Sequence, residues 1–120
     1  MKVDLTLRGD LHAPRAARMA LDDLVHDLDG RLLTDLRLVI TEMVATIIRS
    51  GSGQPLSVRI EILSPQHLRG EVTEEGDPME GFAALSEEAA PILEELTSHW
   101  GLGPQPRRMW FEIETRGDQA

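Results

Sequence analysis

No cysteine or tyrosine occurs among the 120 residues, and aromatic residues make up only 3% of the chain. Without cysteine the protein can form neither a disulfide framework nor a thiolate metal site, and it has no thiol nucleophile. No apolar run approaches the ~20 residues of a membrane-spanning helix. The chain starts with alternating polar and apolar residues and not with a signal peptide. We therefore expect a cytoplasmic protein with a mainly aliphatic core.

Basic residues are also scarce. Twelve lysines and arginines stand against 21 acidic residues, and the formal net charge is -9. Binding to DNA or RNA depends on clustered lysine and arginine, so this composition argues against a nucleic-acid partner. It favours a basic protein partner, because opposite charges steer association. The four histidines show no pair at metal-ligand spacing, and we expect no metal site.

Regular apolar patterns run through most of the chain. Strict alternation of apolar and polar residues predicts four strands, at 2–8, 56–62, 68–73 and 108–114. Apolar residues at helical spacing predict three helices, at 14–28, 34–50 and 91–100. Thr34 is the predicted N-cap of the second helix, and Pro91 opens the third. The segment 74–90 is acidic and irregular in pattern, and 115–120 is predicted to be a disordered tail.

The predicted order β-α-α-β-β-α-β is typical of an α/β (α+β) two-layer sandwich. The hairpin formed by the second and third strands excludes an all-parallel sheet, so we expect a mixed sheet of about four strands. Each strand has only one apolar face, which indicates that three helices cover one side of the sheet. Residues 1–114 are expected to form a single domain. The other side of the sheet is left to solvent or to a partner.

The polar positions of the strands predict the content of this uncovered face, which comprises Arg8, Arg59, Arg69, Arg108 and Trp110. Tryptophan and arginine are enriched among the residues that dominate binding at protein interfaces. The last four residues are therefore candidate contacts for a protein partner. The alternative for Trp110 is an indole that simply lies on long neighbouring side chains.

The helix at 34–50 carries the longest unbroken apolar stripe, and we expect Met43 and Ile47 to be buried against the sheet. A narrow polar sector of the same helix carries Glu42 and Thr46, four residues apart, so that a carboxylate and a hydroxyl share one patch. Arg49 lies in the same sector, too far from Glu42 for a helical ion pair. Spacing alone favours an ordinary solvated helix face over a functional site.

Several segments resemble the small bacterial anti-sigma-factor serine kinases of the histidine-kinase-like ATPase superfamily (GHKL, the Bergerat fold). These segments are LRLVITEMVATIIRSG at 36–51, GEVTEEGDP at 70–78, ILEELTSHWGLG at 92–103 and RMWFEIE at 108–114. The resemblance covers roughly residues 3–114 and includes the order of the elements. It implies a Bergerat-type domain in which Glu42 matches the acid that acts as general base.

The resemblance also implies which residues would line an ATP site, and most of those positions have changed. Thr46 stands where the family has the asparagine that ligates Mg²⁺, and a hydroxyl offers a single oxygen with a shorter reach. Glu74 stands at the aspartate that recognises the adenine amino group. Four positions at which the family has glycine carry Gly76, Pro78, Glu87 and Ala89.

These changes predict a degenerate ATP pocket, because lost glycines, a lost metal ligand and added acidic residues all weaken phosphate binding. The preferred interpretation is a non-catalytic regulatory domain that needs no cofactor and binds a protein, such as a sigma factor or an anti-sigma antagonist. The alternative is an active ATP- and Mg²⁺-dependent serine/threonine kinase with Glu42 as its base. In a third interpretation a homodimer contact has replaced the nucleotide site.

Overall fold

A computed structural model describes residues 1–50, 55–74, 82–103 and 108–115, with only the backbone described for Ser50 and for 82–88. The strands are β1 (Lys2–Leu7), β2 (Leu56–Ser64), β3 (His67–Glu74), β4 (His99–Leu102) and β5 (Arg108–Glu114). The helices are α1 (Ala13–Leu21), α2 (Gly30–Ser50) and α3 (Phe82–Leu96), with a 3-10 helix at Asp22–His26. The fold is therefore α+β, as expected. Within these ranges no helix is both long enough and apolar enough to cross a membrane.

The sheet has the order β1-β2-β3-β5-β4, and every neighbouring pair of strands is antiparallel. The sheet is therefore entirely antiparallel and not mixed as expected, and it has five strands where about four were expected. Two helices separate β1 from β2, and α3 and β4 separate β3 from β5. With an even number of elements in each connection, the chain returns to the sheet in the opposite direction.

The strand β4 is the element that the sequence did not reveal. The third helix was expected to reach Trp100, whereas α3 ends at Leu96 and the chain then pairs with β5. Only four residues take part, and one of them is Gly101, which weakens any strand pattern. A β-carbon on Gly101 would lie 2.8 Å from the ring of Trp110. The glycine therefore provides the space in which that indole lies against β4.

The first predicted helix, 14–28, is shorter in the structure and continues as the 3-10 helix. The tighter winding of a 3-10 helix places residues three apart on the same side. Leu21 and Leu24 are accordingly both buried, whereas the next residue, Val25, is 55% exposed. The change of winding thus selects which side chains enter the core.

The second helix begins at Gly30, four residues before the predicted start. The carboxylate of Asp29 accepts a hydrogen bond from the Arg31 backbone N–H at 3.3 Å and caps the helix. Thr34 is not the N-cap, because its hydroxyl donates to the Gly30 carbonyl at 3.0 Å from inside the helix.

The third helix also begins earlier than predicted, at Phe82, so that Pro91 lies inside it and does not open it. The acidic residues of 74–90 predict an irregular segment, but its second half, 82–90, is helical. Alanine, leucine and glutamate dominate FAALSEEAAPILEEL, and their helix propensity outweighs a single proline. The first part of the segment predicted to be irregular, 75–81, lies outside the described residues.

The first residue of the predicted tail contacts another part of the fold. Thr115 donates its backbone N–H to the carbonyl of Gln66 at 2.8 Å, so this residue is held at the β2–β3 hairpin. The rest of the predicted tail, 116–120, lies outside the described residues.

One face of the sheet and the helices enclose the core. Alternate strand residues are buried in β2, β3 and β5, among them Val58, Val72 and Phe111. Met43 and Ile47 on α2 are completely buried, which confirms the prediction for them. The intervening strand residues are partly or fully exposed on the opposite side of the sheet. This side is called the open face below.

Candidate functional site

The position predicted for a catalytic base lies on α2, where three side chains contact one another. Thr46 Oγ1 donates to Glu42 Oε1 at 3.5 Å, and Arg49 Nη2 donates to Thr46 Oγ1 at 3.2 Å. Arg49 Nη2 also lies 3.7 Å from Glu42 Oε1. The expectation that Glu42 and Arg49 are too far apart is therefore wrong. The long arginine side chain spans about 10.5 Å of helix rise by extending toward the N-terminus, the direction in which helical side chains lean.

This contact, called the α2 triad below, ties Glu42 to its own helix. Thr46 is only 1% exposed, and its hydroxyl lies between a carboxylate and a guanidinium. The side chain of Glu42 is 37% exposed, and its carboxylate faces Arg49. The threonine hydroxyl thus links two charged side chains of its own helix.

Of the other predicted ATP-site positions, the structure describes the side chains of two. Glu74 is 4% exposed and lies at the end of β3 on the core side. Ala89 is completely buried and belongs to the hydrophobic core. Gly76 and Pro78 lie outside the described residues, and of Glu87 only the helical backbone is described. The two cavities described below are lined by other residues.

The four candidate partner residues come together on the open face. Arg59 in β2, Arg69 in β3, and Arg108 and Trp110 in β5 line a cavity of about 340 Å³. Arg8, which was expected on the same face, follows the end of β1 and does not line the cavity. Since the helices cover the other side of the sheet, this cavity and the α2 triad lie on opposite sides.

Side chains of opposite sign alternate in two rows that cross the open face. The first charge row is Lys2, Glu61, Arg69 and Glu112, and the second charge row is Asp4, Arg59, Glu71 and Trp110. Neighbours within a row are directly opposite each other on adjacent strands. Charged residues two positions apart on the same strand also carry opposite charges. Opposite charges at cross-strand positions stabilise a sheet by a few tenths of a kcal/mol per pair, up to about 1.

The arginines of the open face are paired with carboxylates. Arg59 Nε lies 3.1 Å from Asp4 Oδ1, and Arg69 Nε lies 3.2 Å from Glu112 Oε2. Arg108 contacts the glutamate of the second charge row. The cavity is lined by four bases and four acids, so its formal charge is zero, although the whole chain carries -9. The lining of this cavity is thus a neutral region on an acidic protein.

Sequence reasoning identified the basic half of this face and missed the acidic half. A signal was present, since Arg59 is followed two residues later by Glu61, and Arg69 by Glu71. Which acid lies opposite which base depends on the register between strands, which the sequence pattern alone does not supply.

Among these acids, Glu112 contacts both a histidine and an arginine. Its Oε2 lies 2.5 Å from Nε2 of His67 and accepts a hydrogen bond from Arg69 Nε at 3.2 Å. The hydrogen bond with His67 is the main cause that lowers the pKa of Glu112. The hydrogen bond and the charge of Arg69 lower it further, and partial burial opposes them.

The lowered pKa of Glu112 predicts a loss of stability in acid. A carboxyl whose folded pKa lies below its unfolded value contributes stability above the unfolded value and loses it as the pH falls through the folded value. Between about pH 5 and about pH 3, we expect Glu112→Gln to lose less unfolding free energy than the wild type in urea titrations. Glu61→Gln is the control, because Glu61 is more exposed and lies 3.7 Å from Lys2. Identical pH profiles of the wild type and Glu112→Gln would contradict the prediction.

A second cavity, of about 510 Å³, lies where the start of α2 meets the ends of α3 and β5. Asp35, Glu95 and Glu114 line it together with Arg31. Burial raises the pKa of Asp35, and the charge of Arg31 opposes this effect. In the ranges that the structure describes, no group of three histidine or acidic side chains is placed to hold a metal ion.

Comparison with models of known protein families and with curated protein sequences finds no match to this chain.

Proposed function

We propose that the protein is a non-catalytic regulatory domain, similar to the anti-sigma-factor serine kinases, that acts by binding a protein. The domain would be of the Bergerat type and extend over residues 1–114, and its partner would be a sigma factor or an anti-sigma antagonist. The α2 triad is the observation that carries the proposal. In this triad Glu42 and Thr46, which by resemblance stand at the general base and the metal ligand of the family, bind each other.

Phosphoryl transfer depends on a metal ion that bridges the phosphates and on a base that receives the substrate proton. Arg49 lies beside Glu42 and competes with a substrate hydroxyl for the carboxylate oxygens. Thr46 is buried within the triad, and Ala89 packs in the core at a position where the family has a phosphate-binding glycine. These contacts support a domain without catalysis.

The open face supports binding to a protein. It combines three arginines with a partly exposed tryptophan, and both residue types are enriched at the centres of interfaces. The contact between Trp110 and Gly101 holds the indole against β4, so the ring loses little freedom when a partner covers it.

Calorimetric titration with millimolar ATP and Mg²⁺ tests the absence of nucleotide function. We expect no saturable binding with a dissociation constant tighter than about 100 μM, which corresponds to roughly -5.5 kcal/mol. A tighter constant would favour the active kinase. In that case Glu42→Ala should abolish phosphoryl transfer and leave nucleotide binding largely intact. Asp35→Ala, a change to another acid of the same helix, would serve as the matched control and should retain transfer.

A further inference from the structure

The two edges of the sheet differ in how well they are protected against pairing with another strand. At one edge β4 has only four residues, one of which is a glycine. At the other edge β1 has six residues, and its pairing with β2 runs from Lys2 to Leu7 without a bulge. Proline, bulges and charges on the core side usually protect an edge strand, and β1 has none of these. The outer edge of β1 is therefore a regular template for a further strand.

The backbone groups of every second residue of β1 point away from β2. The Ile62 N–H donates to the Met1 carbonyl at 2.8 Å, and the Met1 amino group donates to the Ile62 carbonyl at 3.3 Å. Such a hydrogen-bonded pair recurs at every second position of an antiparallel ladder. Lys2, Asp4 and Thr6 therefore direct their N–H and C=O groups outward. Within the part of the chain that the structure describes, no strand pairs with this edge.

The apolar layer of the sheet is incomplete at the same edge. Ile60 and Val58 of β2 are 1% and 0% exposed. Val3 and Leu5 lie opposite them on β1 and pack against the core, but they are only partly buried. A further strand with apolar residues beside Val3 and Leu5 would cover these side chains from the outer side and continue the buried layer.

The two charge rows of the open face end at β1, the first with Lys2 and the second with Asp4. If the alternation of sign continues by one strand, an acid lies opposite Lys2 and a base lies opposite Asp4. We infer that the outer edge of β1 binds an extended segment of a protein partner, which adds a sixth strand to the sheet. This segment carries apolar residues beside Val3 and Leu5 and charges of the stated signs. The inference rests on the proposed function and specifies how the partner is bound.

The charges of β1 disfavour a second copy of the same strand as the occupant. Two β1 strands that pair antiparallel over their whole outward-facing length place Asp4 opposite Asp4, and Lys2 opposite Thr6. Like charges directly opposite each other destabilise a sheet. A partner segment with the stated pattern meets no such repulsion.

The sequence of β2 supplies a probe, because it satisfies the same pattern on the inner edge, where Arg59 lies opposite Asp4 and Glu61 opposite Lys2. A capped synthetic peptide of residues 56–62, LSVRIEI, can take the same positions on the outer edge. In NMR titrations of the full chain we expect saturable binding with a dissociation constant of about 50–500 μM, weak because the peptide must be ordered. Exchange of the Asp4 and Thr6 amide protons should slow at least about tenfold at saturation. No saturable binding up to about 2 mM peptide overturns the inference.

Two N-methylated forms of the peptide test the main-chain pairing. In the expected antiparallel register the N–H groups of Arg59 and Glu61 of the peptide face β1, whereas those of Val58 and Ile60 face away. Methylation at the first pair of nitrogens should weaken binding at least about tenfold, and methylation at the second pair by no more than about threefold. If both forms bind equally, strand addition is not the mode of binding and the inference is wrong.

Thr6→Pro blocks the edge from the side of the protein. Proline is tolerated in an edge strand where the N–H faces away from the neighbouring strand, so the variant is expected to fold, which circular dichroism verifies. It should bind the peptide at least about tenfold more weakly than the wild type, because an outward donor is lost and the ring obstructs the edge. Thr6→Ala is the matched control and should bind as the wild type does. Unchanged binding to Thr6→Pro overturns the inference.

Should Thr6→Pro unfold, the exposed residue Asp4 decides the question. Asp4→Lys should bind the peptide at least about threefold more weakly, because two bases then face each other, and glutamate in place of the peptide's arginine should restore binding. Failure of this rescue contradicts the inference. Sedimentation velocity of the full chain provides a further test, because a dimer that Thr6→Pro abolishes would assign the edge to a second copy and make the inference wrong. These outcomes are distinguishable from a failure of the proposed function, which the ATP titration tests separately.

Discussion

Replacing Met43 with alanine should lower the free energy of unfolding by about 2–5 kcal/mol. Met43 is completely buried midway along α2, and Ile47, one turn later, is buried as well. The helix packs against α1, α3 and the sheet, so the surrounding side chains cannot collapse freely into the space left by the truncation. Urea unfolding followed by circular dichroism measures the change.

Leu38→Ala is the matched control for Met43→Ala. Leu38 lies on the same helix but is 47% exposed, and its removal should change stability by no more than about 0.5 kcal/mol. A loss below about 0.5 kcal/mol for Met43→Ala would show that the apolar stripe of α2 does not enclose a tightly packed core.

The sequence was sufficient to predict which side chains of the strands are buried. In a strand the side chains alternate between the two faces, so a run such as Leu56–Ile62 determines its own inner face. The same is true of Met43 and Ile47, because the helical period assigns them to one stripe of α2. These predictions depend only on local geometry, which does not require knowledge of the neighbouring elements.

Features that depend on distant contacts could not be predicted in this way. The antiparallel direction of β5 depends on β4, and β4 was hidden because its four residues include Gly101. The role of Gly101 becomes evident only when Trp110 is placed beside it. The early start of α3 required weighing the helix propensity of a whole segment against the effect of Pro91.

In the candidate site, too, local features could be predicted and contacts between distant residues could not. Local spacing correctly placed Glu42 and Thr46 side by side on α2. It did not reveal that Arg49 would join them, because side-chain reach and direction decide that contact. The pairing of arginines with acids across the open face depends on strand register, for which the chain has no local signal. Electrostatic partners were therefore the least predictable part of the site.

Substitution of Gly70 by alanine should destabilise the fold by about 1–3 kcal/mol. Gly70 lies on β3 opposite Phe111 of β5 and is buried on the core side. A β-carbon at this position would overlap the ring of Phe111, which is only 1% exposed and enclosed by the core. The ring or the strands must therefore shift. The entropic gain from replacing glycine, about 0.4–1 kcal/mol where alanine fits without strain, does not offset this overlap.

Two further variants separate overlap from a general effect of losing a glycine. Gly30→Ala lies in the first turn of α2, where a β-carbon meets no atom within 4 Å, so it should be neutral or stabilise by up to about 1 kcal/mol. Phe111→Leu removes the ring itself and is destabilising on its own. In that background the cost of Gly70→Ala should fall by at least about 1 kcal/mol, because the atoms it overlaps are gone. If the two changes are instead additive in urea unfolding, contact with Phe111 is not the reason that β3 requires glycine at this position.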